Sequence, residues 1–149
     1  MQQGVRATGA IRLDTCLIVE DSEFDQQMMS RIVSRSHRDM QIEVANTLHS
    51  ARKALGRGRV SLILLDNNLP DGLGANFALE LASDQRFAGI PIIMVSDWPS
   101  PFMWEKAASA DVLYVVNKAQ FGARYVREAL KHVRDRRRLK LPIESNAQS

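Results

Sequence analysis

The chain repeats one pattern five times: an apolar run of four or five residues, a polar residue that ends it, and a stretch with the spacing of an amphipathic helix. Runs this short and this apolar suit strands buried on both faces, and strands alternating with helices make βα units around a parallel sheet. The strands are expected over 15–20, 42–45, 61–65, 91–95 and 112–116, the second being less apolar, as at a sheet edge. Between them, Ser22 is placed to cap a first helix, with Asp25 three residues on in the arrangement of a capping box. Phe24, Met28 and Ile32, widened by Met29 and Val33, form its inward stripe. Thr47 caps a second helix that buries Leu48, Ala51 and Leu55 and stops at Gly56. Residues 70–74 form a turn by composition, and the third and fourth helices are expected over 75–83 and 101–109. A fifth helix begins about Gly122, with Val126, Leu130 and Val133 inside.

Five such units predict an α/β, flavodoxin-like, doubly wound five-stranded parallel sheet of order 2-1-3-4-5 with five helices. The length of 149 residues allows one domain, expected at 13–140, with a flexible arm at 1–12 and a disordered tail at 141–149. Apolar runs of this length do not cross a membrane, and the N-terminus lacks the apolar stretch of a signal peptide, so a cytoplasmic protein is expected. The formal charge of +3 is concentrated in Arg127, Lys131, Arg134, Arg136, Arg137, Arg138 and Lys140. These read as a solvated helix face, and no zinc-finger spacing or RNA-binding motif accompanies them, so no direct nucleic-acid partner is expected. The single cysteine, Cys16, reads as a small buried hydrophobe.

The strand order places every carboxyl end on one edge of the sheet, where ligands bind in such folds. Glu20 and Asp21 follow the first run, Asp66 the third, Ser96 the fourth and Lys118 the fifth. Three carboxylates, a hydroxyl and an ammonium in one pocket suit a hard cation and a phosphoryl group, and magnesium fits best because it bridges carboxylates to phosphate. Asp71 reads as a turn or cap around Gly72 and Asp97 as a solvated loop carboxylate; His37, His49 and His132 stand apart from one another in the sequence.

Glu20-Asp21, Asp66-Asn67-Asn68-Leu69-Pro70-Asp71-Gly72, Val95-Ser96 and Lys118 resemble, in order and spacing, the signature of response-regulator receiver domains, from about Thr15 to Arg138. The resemblance implies a two-component signalling protein of the stand-alone type. Asp66 would accept a phosphoryl group from a histidine kinase or a histidine phosphotransfer protein. Mg2+ would be held by Asp21 and Asp66, by Glu20 through water and by the backbone carbonyl of Asn68. Lys118 and Ser96 would contact the phosphoryl oxygens. Such a protein is a phosphoacceptor rather than an enzyme, and it signals through a downstream partner protein. Trp98, Phe102, Trp104 and Tyr114 are the candidate partner surface, with burial of the aromatic group against the last strand or helix as the other reading. Two features depart from the family: Tyr114 lies four residues before Lys118 where an aromatic usually lies three before, and Ala119 stands where proline usually follows the lysine. They leave open a phosphorylation-independent adaptor; a magnesium-dependent hydrolase of small phosphate esters is the remaining alternative.

Overall fold

The structure is a computed structural model that describes residues 14–131. Five strands, β1 (Thr15–Val19), β2 (Gln41–Ala45), β3 (Val60–Leu65), β4 (Ile92–Ser96) and β5 (Tyr114–Asn117), form one parallel sheet in the order β2-β1-β3-β4-β5. This is the predicted 2-1-3-4-5 order. Helices α1 (Glu23–Ser36), α2 (Leu48–Gly56), α3 (Gly74–Ala82) and α4 (Pro101–Ser109) connect the strands, and a fifth, α5, covers 123–131 at the limit of the described residues.

Side chains of a strand alternate faces, so the apolar runs feed two cores at once. Cys16, Ile18, Leu62, Leu64, Ile93 and Val95 pack with Met29 and Val33 of α1 and Val126 and Ala129 of α5. Leu17, Val19, Ile63, Leu65 and Met94 pack on the other face with Leu48 and Leu55 of α2, Phe77 and Leu81 of α3, and Met103 of α4. Most of these strand residues are completely buried, each removing about 1.5–3 kcal/mol worth of apolar surface from water. The central strands are thereby fixed in register, and their polar ends are fixed with them.

Several local expectations are corrected. Phe24 is 80 % exposed, because it falls in the first turn of α1 beyond the rim of the sheet; Met28 and Ile32 are half-buried, and Met29 and Val33 carry the inward stripe. Ser22 does cap α1, its Oγ accepting from the Asp25 N–H at 3.3 Å, but the Asp25 carboxylate turns away to another partner. The reciprocal capping box occurs at α2 instead, between Thr47 and Ser50. Gly56 is still helical; Gly58, at φ +85°, takes the left-handed conformation that ends the helix. β5 begins two residues later than expected, since Asp111 turns the chain at φ 57° and the Val112 N–H is still held by Ala107 O of α4. The arm at 1–12, the tail at 141–149, Val133 and His132 lie outside the described residues, as do the ends of the 13–140 domain.

Between β3 and α3 the chain makes a two-residue antiparallel ribbon, Asn68–Leu69 with Gly72–Leu73. Asp71 at its tip reaches the start of α2: Oδ1 accepts from the Leu48 N–H at 2.8 Å and Oδ2 from the His49 N–H at 3.0 Å. It therefore supplies two of the acceptors that a helix N-terminus lacks, and those donors hold its carboxyl below the usual carboxylate range. The expectation of a capping role is met, by a helix 22 residues away rather than by its own turn. Asp71→Ala is expected to lower the thermal midpoint at neutral pH by about 3 °C. Because the folded-state carboxyl has the lower pKa, the difference between the two proteins should close as pH falls through the carboxylate range, which thermal unfolding followed by circular dichroism would show.

Candidate functional site

The site begins with the ends of β1 and β3, which are neighbours in the sheet. The Glu20 N–H donates to Ala45 O at 3.0 Å and the Asp66 N–H to Val19 O at 3.0 Å, so the backbone at both residues continues the ladder of the core strands. Glu20 is 1 % and Asp66 5 % exposed, whereas Asp21 faces solvent. One carboxylate oxygen from each of Glu20, Asp21 and Asp66 lies within 4.8 Å of the other two, a set that could hold a metal ion. These are the three carboxylates of the predicted metal site; Asn68, expected to contribute its backbone carbonyl, lies on the ribbon two positions past Asp66.

Lys118 closes the pocket from β5, with its side chain 10 % exposed. Its Nζ donates to Asp25 Oδ2 at 2.7 Å, sits 2.9 Å from Glu20 Oε1, and lies 3.9 Å from both Asp66 Oδ1 and Asp97 Oδ2. Glu20 Oε2 accepts from the Ser22 N–H at 3.0 Å. Its buried Oε1 is paired with the Lys118 ammonium. Burial disfavours the Lys118 ammonium, yet Asp25 and Glu20 outweigh that and hold it firmly charged. Burial raises the carboxyl of Glu20 and that of Asp66, against the lowering influence of Lys118 on both; Asp66 also feels the charges of Asp21 and Asp97.

The loops hold these groups still. Asn67 O accepts from the Gly74 N–H at 2.7 Å and Asn67 Oδ1 from the Ala75 N–H at 2.9 Å, so the residue after Asp66 caps α3. Gly74 is required there, since a Cβ would stand 2.0 Å from Asp66 O. Ser96, buried at the end of β4, accepts at its carbonyl from the Lys118 N–H at 3.2 Å. Asn117 donates from Nδ2 to Asp97 O at 3.0 Å and accepts at Oδ1 from the Ala119 N–H at 2.8 Å. The peptide bonds of the described residues are all trans, Lys118–Ala119 included.

Tyr114 does not point to Ser96. It pairs in register with Ile93, packs in the core on the α1 and α5 side, and meets Tyr125 edge-on at 5.2 Å. Val115 packs on the opposite face, so the one-residue offset in sequence becomes a change of face. Trp98, Phe102 and Trp104 are exposed by 87 %, 76 % and 51 %, while Met103, between the last two, is buried. The aromatic surface is therefore open, and half-buried Tyr114 is not an exposed member of it. Asp25 is the site residue that sequence reasoning missed. It was legible as a helix-start acid, and nothing in its neighbourhood pointed 93 positions along the chain.

The sequence matches the response regulator receiver domain family over residues 16–131. This chain belongs to that family. It is 42 % identical over 67 residues to the transcriptional regulatory protein DpiA of Escherichia coli K12, a match that covers 45 % of this chain and 30 % of DpiA. Among solved structures, a CheY-like receiver domain protein from Methanospirillum hungatei superposes with a TM-score of 0.72 at 20 % identity, over 85 % of this chain and 98 % of that one. The phosphorylated cyanobacterial phytochrome response regulator RcpA superposes with a TM-score of 0.67 at 19 % identity, over 86 % and 94 %. Receiver domains are signalling modules of two-component systems, and among the described residues of this one no helix is long and apolar enough to cross a membrane.

The raised carboxyls bind protons more tightly in the folded chain than in the unfolded one. Stability of the metal-free protein should therefore fall as pH rises from the ordinary carboxylate range through the raised values of Glu20 and Asp66. Asp66→Asn removes one of the crowded charges and is expected to stabilise the metal-free protein by about 1 kcal/mol at neutral pH while flattening that dependence. Chemical denaturation of both proteins across pH 4–8 checks the sign.

Proposed function

We propose that this receiver accepts a phosphoryl group on Asp66 from a phosphohistidine donor, a histidine kinase or histidine phosphotransfer protein, and signals through a partner protein. The observation that carries the reading is the convergence of three carboxylates on one point, with the Lys118 ammonium 3.9 Å from the Asp66 oxygen beside it. An Asp66 carboxylate oxygen attacks phosphorus; the new O–P bond forms as the P–N bond to the donor histidine breaks, and the electron pair returns to the imidazole. The product is an acyl phosphate.

The donor set fits a divalent cation. It is all oxygen, and it crowds three carboxylates, two of them buried, around one point with a single ammonium beside them. Asp21 and Asp66, backed by Glu20 and the backbone carbonyl of Asn68, are the proposed holders of Mg2+, which supplies positive charge to the phosphoryl oxygens when bound. The chain's own groups do the rest. Lys118 is the proposed second cation for those oxygens, and Ser96, at the end of the adjacent strand, the proposed hydroxyl donor. Burial of Asp66 keeps competing water from its carboxylate.

Because Tyr114 faces α5, it cannot report the state of Ser96 directly. The aromatic groups that continue from Ser96 through Asp97 to Trp98, and on to Phe102 and Trp104, are the proposed contact with the downstream partner. The same orientation of Tyr114 is what recommends the second reading, an adaptor that works without phosphate.

Incubation with Mg2+ and acetyl phosphate, followed by intact-mass measurement, separates the two. The parent is expected to gain one phosphoryl group and Asp66→Asn none. Equal labelling of both proteins would remove Asp66 as the acceptor, and absence of labelling in a parent that binds Mg2+ would favour the adaptor.

A further inference from the structure

Lys118 has two close carboxylate partners, Glu20 and Asp25, and Asp25 is outside the acidic cluster. Asp25 belongs to the first turn of α1, where the Ser22 hydroxyl already accepts from its backbone N–H and leaves its carboxylate free. That carboxylate crosses to β5 and takes the ammonium at 2.7 Å, in a pair whose side chains are 10 % and 19 % exposed. Asp66, the charge that the lysine is needed beside, is 3.9 Å away. An ammonium has three N–H donors, and here the close contacts are to Asp25 and Glu20. Glu20 is tied by Ser22 to the end of β1 and shares the cation site with Asp66, whereas Asp25 contributes nothing to that site. Its contact is with the lysine.

We propose that Asp25 is a positioning residue that holds the Lys118 ammonium short of Asp66, so that Lys118 must leave Asp25 to reach a phosphoryl group on Asp66. The inference rests on the reading of Asp66 as phosphoacceptor and adds a restraint to it. In the resting protein the ammonium is held 3.9 Å from Asp66 rather than paired with it, and it is kept from moving closer to Asp66, where it would compete with a divalent cation. In the phosphorylated protein the Asp25 contact is lost, and that loss lowers the stability of the acyl-phosphate state. A neutral residue at 25 removes the restraint in both states.

The test is a double-mutant cycle on the full chain: parent, Asp25→Asn, Lys118→Met and the double variant, with Asp25→Glu as the charge-keeping control. Two affinities are measured by titration calorimetry, for Mg2+ alone and for beryllium trifluoride, a phosphoryl analogue, at saturating Mg2+. Asp25→Asn is expected to tighten beryllium trifluoride about fivefold and to weaken Mg2+ by a similar factor, the scale of a partly buried ion pair, with Asp25→Glu near the parent. In the Lys118→Met background both effects should vanish. Changes that persist there undiminished would mean that Asp25 acts only as a distant charge on the site, and unchanged affinities in Asp25→Asn would mean that it holds nothing; either overturns the proposal. A parent that fails to bind beryllium trifluoride counts against Asp66 as phosphoacceptor, and the Mg2+ cycle, which involves no phosphoryl chemistry, then decides the role of Asp25 by itself.

Discussion

One ammonium among four carboxylates is the interaction on which the working end of this molecule depends. Lys118 lies within 4 Å of Glu20, Asp25, Asp66 and Asp97, while Asp21 stands beside them unpaired by it. One positive charge does not neutralise this set, and partial burial makes the imbalance more costly than it would be in water. Burial, with the neighbouring carboxylates adding to it, raises the carboxyls of Glu20 and Asp66, and a divalent cation bound among them would offset that cost. The apolar core makes the arrangement possible. Strands buried on both faces cannot slip in register, so the polar residues that follow them stay at the edge even though they repel.

The architecture was legible in the chain because each strand ends where its apolar run meets a polar residue that water or a ligand must satisfy. The 2-1-3-4-5 order follows from five βα units, and it makes the ends of β1 and β3 neighbours, which is why Glu20, Asp21 and Asp66 could be grouped from sequence alone. Local chemistry was less reliable where two satisfactory solutions competed. Asp25 has the spacing of a capping-box acid, but an ion pair with a nearly buried ammonium is worth more than a second bond to a helix end that Ser22 and solvent already serve. Phe24 has the helical period of the core stripe and lies above the core's edge, because periodicity gives direction around a helix and not height along it. Gly56 and Gly58 are two residues apart, and the positive φ at Gly58 selects between them only once the chain has to turn toward β3.

Tyr114 shows how a single residue's offset is read differently by sequence and by a sheet. Along the chain it is one position from where an aromatic would be expected; in a strand one position reverses the face. Its ring fills space against Tyr125, and Phe121 stacks on the same tyrosine at 6.4 Å. This aromatic group seals the core beneath α5 and leaves the α4 side of β5 to Val115.

In the proposed function, communication from the carboxylate site to the exposed aromatic surface would run through the two loops that frame Ser96. The Lys118 N–H is bonded to Ser96 O, and the Asn117 side chain to Asp97 O, so the β5–α5 loop and the β4–α4 loop are joined immediately before Trp98. Neither bond involves the Lys118 ammonium. The exchange of partners proposed for the Lys118 side chain, from Asp25 to a ligand on Asp66, would therefore leave the backbone clamp intact, whereas a movement of its backbone would be passed to Ser96 and Asp97 together. A ligand that draws in the ammonium and the Ser96 hydroxyl pulls on both sides of that clamp at once. Trp98, two residues from Ser96 and 87 % exposed, is free to follow because it has no burial to lose. In the proposed receiver function such a coupling would need no aromatic beneath the hydroxyl, because the clamp already joins the two loops and Trp98 follows it at the surface.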